Sequence, residues 1–92
     1  MFVVRIITPE KTDYKVFEHL PDARERYERG WLQAEDGEFD SIAIFEVAEA
    51  EDVRSAAAAV REGQRDMLRL VDFHESGAIR LARLAMKLDF NI

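Results

Sequence analysis

Three stretches of this chain, residues 2–7 (FVVRII), 41–47 (SIAIFEV) and 66–74 (DMLRLVDFH), are dense in branched and aromatic side chains, and none alternates cleanly between apolar and polar. Such side chains pack well on a pleated surface, so each run predicts a strand. Successive strand side chains point to opposite faces. By that rule Phe2, Val4 and Ile6 oppose Val3, Arg5 and Ile7; Ala43, Phe45 and Val47 oppose Ile42, Ile44 and Glu46; Leu68, Leu70, Asp72 and His74 oppose Met67, Arg69, Val71 and Phe73. A sheet with one wet face carries polar groups at every second position. These strands do not, so both faces of the sheet need cover.

The segments between them supply helices. Thr8 and Pro9 read as an N-cap and a first helical position. Val16, Leu20, Ala23 and Tyr27 then follow at helical spacing, with a break expected at Pro21 and a C-cap at Gly30. Residues 31–34 read as a short strand, and Asp36-Gly37 as a hairpin turn. Ala50, Val53, Ala57 and Val60 share one face of a helix over 49–61, whose acidic start suits the helix dipole and which Gly63 ends. Ser76 caps a last helix over 76–89. The first six elements predict an α+β, ferredoxin-like β-α-β-β-α-β antiparallel sheet, with the C-terminal helix added to it. Residues 1–92 contain no linker or repeat and form one domain.

Composition limits what such a domain does. The net charge of −6 disfavours nucleic acid and anionic membranes, which are bound by clustered Lys and Arg. No apolar run approaches the roughly 20 residues of a membrane span, and MFVVRII is too short and too interrupted by Arg5 for a signal segment, so a cytoplasmic protein is expected. The absence of cysteine removes disulfides and thiolate metal sites. A chain of 92 residues buries only about 60–65% of its unfolded surface, and small domains without staples often gain stability by burying surface against a copy of themselves. With both helices of the unit on one face, the other face predicts a homodimer through the sheet, cover by the C-terminal helix, or both.

Several residues are candidates for chemistry, each with a plainer alternative. His74 at a strand end, with Asp72 on the same face, could serve as general acid or base oriented by a carboxylate. The alternative is a histidine that pairs with a helix acid or is solvated. Arg5, Glu46 and Arg69 fall on the open face as an anion subsite, or as a structural ion-pair network. Trp31, Tyr14, Phe17 and Tyr27 would line a ligand pocket between the first helix and the sheet, or simply fill the core. His19 reads as an exposed helix-end residue, and no spacing motif suggests a metal. No phosphate loop or nucleophile elbow points to a cofactor. In the last helix Ala78, Leu81, Ala85 and Leu88 form an apolar stripe beside the basic Arg80, Arg83 and Lys87, suited to packing on its own sheet or on a partner.

The passage FDSIAIFEVAEAEDVRSAAAAV, residues 39–60, together with the opening MFVVRI, resembles small members of the dimeric α/β-barrel superfamily of the YCII-like, GYD-type and muconolactone-isomerase-like kinds. The resemblance implies a ferredoxin-like protomer that dimerises sheet on sheet and holds a small organic ligand between sheet and helices. It also implies cofactor-independent isomerase or monooxygenase chemistry as the class to consider. The alternative function is a non-catalytic interaction or regulatory module that assembles through its C-terminal helix.

Overall fold

In a computed structural model that describes residues 1–33 and 40–75, Thr8 closes a turn instead of capping a helix. Its hydroxyl donates to the Lys11 carbonyl at 3.0 Å and accepts the Lys11 N–H at 3.1 Å, while the Thr8 N–H donates to the same carbonyl at 2.8 Å. These local bonds reverse the chain. Strand β1 (Phe2–Ile7) is therefore followed by β2 (Thr12–Phe17), paired antiparallel with it from Phe2↔Phe17 to Ile7↔Thr12. Helix α1 (Leu20–Gln33), β3 (Ser41–Val47), α2 (Val53–Glu62), a single 3-10 turn (Arg65–Met67) and β4 (Leu68–Glu75) complete the described chain. The sheet runs β2-β1-β3-β4 with every neighbour antiparallel. The α+β class holds, as a four-stranded antiparallel sheet with two helices, but a hairpin stands where a strand-helix unit was expected.

Helix α1 starts at Leu20, so Pro21 lies in its first turn, where the missing N–H leaves nothing unsatisfied. Pro21 thus opens the helix rather than breaking it. The helix also runs past Gly30, and Trp31 to Gln33 are its last residues instead of a strand. Gly30 continues the buried stripe of Leu20, Ala23 and Tyr27. A Cβ there would sit 2.7 Å from Ile42 Cδ1, so glycine lets α1 approach β3 closely. Helix α2 begins later than 49 because Glu49 takes a left-handed φ of 62°. Asp52 caps it, accepting the Ser55 N–H at 2.7 Å, and this bond holds its carboxyl below the usual range. Gly63 ends it with φ 66°.

The two helices lie on opposite faces. Val4, Ile42 and Ile44 pack with Ala23 and Tyr27 of α1. Val3 and Val47 pack with Ala56, Ala59 and Val60 of α2. Val3, Val4, Ala43 and Ile44 are wholly shielded from solvent. Burial of each large apolar side chain contributes about 1.5–3 kcal/mol. The two-sided apolar strands thus find cover within the chain, and a second copy is not needed to shield the face that α2 occupies.

A bulge in β4 corrects the expected faces. Ile44 faces Asp72 but Phe45 faces Leu70, leaving Val71 as the extra residue. Leu68 and Leu70 consequently lie opposite Val47 and Phe45 on the α2 face, while Asp72 and His74 lie opposite Ile44 and Ile42 on the α1 face. Val71 itself packs into the α1 core. No helix among the described residues is long and apolar enough to cross a membrane. The expected Asp36-Gly37 turn and 76–89 helix lie outside the described residues.

Candidate functional site

Strand β1 lies inside the sheet and places Arg5 on the α2 face, opposite Tyr14 of β2 and Ala43 of β3. Phe45 lies diagonally from it on the same face, and the Arg5 guanidinium stands over the Phe45 ring, 5.0 Å from its centroid. The Arg5 Nε is buried with no hydrogen-bond partner among the described residues. Among the described residues, ion pairs join Lys11 to Asp13, Arg24 to Asp72 and Arg69 to Glu46, and no carboxylate pairs with Arg5. A half-buried cation of this kind gains from the ring but lacks the charge-assisted bonds that normally offset desolvation.

Arg5 opens into a cleft of about 310 Å³, lined also by Phe45, Val60, Gly63, Arg65, Leu68 and Leu70. Local structure makes this space. Gly63 stops α2, and the 3-10 turn at Arg65–Met67 carries Arg65 to the rim before β4 starts. Leu68 and Leu70 reach this side of the sheet because the bulge lies beyond them. An adjoining hollow of about 440 Å³ is framed by residues 63–67. An apolar wall with two guanidinium groups suits a ligand that is mostly apolar and carries one negative group.

The opposite face holds a separate polar group. Arg24 of α1 meets Asp72 at 3.5 Å. Tyr27 is 5% exposed, and burial, with the Asp72 carboxylate beside it, pushes its phenol up to about 12. Asp72 also accepts the Phe73 N–H at 2.8 Å. His74 shares this face with Asp72, as expected, yet the contacts of Asp72 are Arg24, Tyr27 and its neighbour's backbone. That set ties α1 to β4 and lies across the sheet from the cleft. Among the described residues no three His, Cys, Asp or Glu side chains gather as a metal ion would require.

The other expected groupings separate. Glu46 and Arg69 form an ion pair on the α1 face, with the Arg69 Nε donating at 3.0 Å, while Arg5 is on the other face. The postulated cluster of three is therefore a Glu46–Arg69 pair with Arg5 on the opposite face, because positions 5 and 46 differ in parity across the β1–β3 ladder. Of the aromatic quartet, Phe17 and Tyr27 belong to the α1 core and Tyr14 to the α2 core. Trp31 is in α1, and its side chain lies outside the described residues. Arg65, Phe45, Leu68 and Leu70 escaped the sequence reading. The available signal was Arg5 itself, the single charge in an otherwise apolar strand.

Set against protein-family models, curated proteins and solved structures, the chain matches none.

Proposed function

We propose that the protein binds a small organic molecule in the cleft between α2 and the sheet. The observation that carries this reading is Arg5, a guanidinium held on Phe45 with no ion-pair partner among the described residues, in a hollow whose lining is apolar apart from Arg5 and Arg65. The volume lies at the lower end of the range for small-molecule sites. His74 and Asp72 are not part of this site, so the reading is of binding rather than acid–base catalysis. A thermal-shift screen of small aromatic and aliphatic compounds tests it. A ligand at ten times its Kd adds about 1.4 kcal/mol and raises Tm by several degrees. Leu70 is 54% exposed, so Leu70→Glu leaves the fold intact while charging the cleft wall. The expected result is hits with the parent chain that vanish in this variant. Hits that persist unchanged place the ligand elsewhere.

A second reading, assembly with a copy of the chain along β4, is favoured by the exposure of Leu70 and of Phe73 (39%) on this edge strand. Exposed apolar edges are templates for association.

A further inference from the structure

We infer that the ligand of this cleft is an organic monoanion, a carboxylate or sulfonate on an apolar body, with Arg5 as the group that selects its charge. This rests on the cleft being a ligand site. Two guanidinium groups line the same hollow, Arg5 at its wall and Arg65 at its rim. Two cations on one lining make the hollow favourable to an anion. The buried Arg5 Nε has no hydrogen-bond partner among the described residues. The Nη atoms of the same group are not closed off in this way, and a carboxylate or sulfonate oxygen in the cleft accepts a charge-assisted bond from them. Arginine offers such an oxygen a planar fork, and stacking on Phe45 holds that fork in place.

The remainder of the lining sets the body of the ligand. Phe45, Val60, Leu68 and Leu70 present only hydrocarbon. A sugar or polyol would leave its hydroxyls unpaired against them, at a cost for each. Nucleotides and other polyphosphates are disfavoured twice. The chain carries a net charge of −6, which repels polyanions at long range, and it has no glycine-rich loop to cradle phosphates. A monoanion feels the first effect least and does not need the second.

A pair of dyes separates the charge from the cleft. Anilinonaphthalene sulfonate and phenylnaphthylamine share the same rings, and only the first carries a negative group. Both are titrated by fluorescence into the folded chain. The sulfonate is expected to bind at one saturable site, about tenfold or more tighter than the neutral dye, the ratio one charge-assisted bond supplies. Arg5→Met removes the difference, read as the ratio of the two dyes' Kd values falling to near one. Decanoate displaces the sulfonate dye, and decanol does so at least about tenfold less well. Equal affinities for the two dyes, unaffected by Arg5→Met, overturn the anion inference and leave the ligand cleft standing. Binding of neither dye, or binding indifferent to Leu70→Glu, overturns both. Should Arg5→Met fail to fold by circular dichroism, Arg65→Met at the exposed rim replaces it. It is expected to weaken the sulfonate alone, and no change overturns the inference.

Discussion

Tyr27 shows how one side chain joins two elements. Its ring fills the α1 core and its hydroxyl meets Asp72 of β4, which Arg24 holds from the same helix. Burial and the adjacent carboxylate both favour the neutral phenol, raising its pKa from 10.0 to about 12. The unfolded chain then loses this proton first. Stability from the tyrosine is full below pH 10 and falls as pH rises from there towards about 12. Tyr27→Phe keeps the ring and removes the titration. Urea melts of the two chains between pH 9 and 12 test this: the parent should lose stability with pH more steeply than the variant, by up to about 1.4 kcal/mol per pH unit. At neutral pH the variant should change stability by less than about 1 kcal/mol. Parallel curves would separate Tyr27 from Asp72.

At the scale of elements, α1 is set by a glycine that sequence patterns treat as a stop. Gly30→Ala improves helix propensity by about 0.5–1 kcal/mol. The added methyl, however, meets Ile42 Cδ1 at 2.7 Å in a packed core, where crowding costs about 1–3 kcal/mol. A net loss near 1 kcal/mol is expected. Ile42→Val deletes the clashing methyl, so the double variant should be more stable than the two single losses predict. Additive losses in a denaturation series would sink this account of the α1–β3 contact.

The same elements show what was legible. β3 was read with its bounds correct, because branched residues continue through it and Asp40 and the Glu49 turn flank it. Asp52 and Gly63 punctuate α2 by side-chain and backbone chemistry that acts within a few residues. β2 was hidden, since the spacing of Val16, Leu20, Ala23 and Tyr27 straddles a strand and a helix. Its own alternation, Thr12, Tyr14 and Val16 on one side and Asp13, Lys15 and Phe17 on the other, is a period-two signal that the helical spacing masks. The bulge at Val71 was beyond any local pattern, as it arises from pairing with β3. That single residue reassigned Leu68 and Leu70 to the cleft and Asp72 and His74 to the other face. Arg5 stands out in the sequence, but its company does not, because neighbours across a sheet follow from register.

For the whole molecule, the placement of the helices changes what a second copy would contact. A sheet-on-sheet dimer needs a bare face, and α1 packs on one face of the sheet while α2 packs on the other. On the sheet, the exposed large apolar side chains among the described residues are Leu70 and Phe73 of the β4 edge. Association along this edge predicts a species near twice 10.6 kDa by light scattering at high concentration, and a monomer for Phe73→Lys. A parent chain that stays monomeric removes the second reading and leaves the ligand cleft untouched.

The separate cores have a further consequence for how the molecule breathes. α1 anchors itself with Leu20, Ala23 and Tyr27, whereas the buried anchors of α2 are Ala56, Ala59 and Val60. Lifting α2 from the sheet wets fewer carbon atoms than lifting α1, so it is the cheaper excursion. Amide protons of α2 should therefore exchange with solvent sooner than those of α1. The cleft beside Arg5 is walled by that looser layer, and a guest bound there would slow the exchange of α2 before that of any other element.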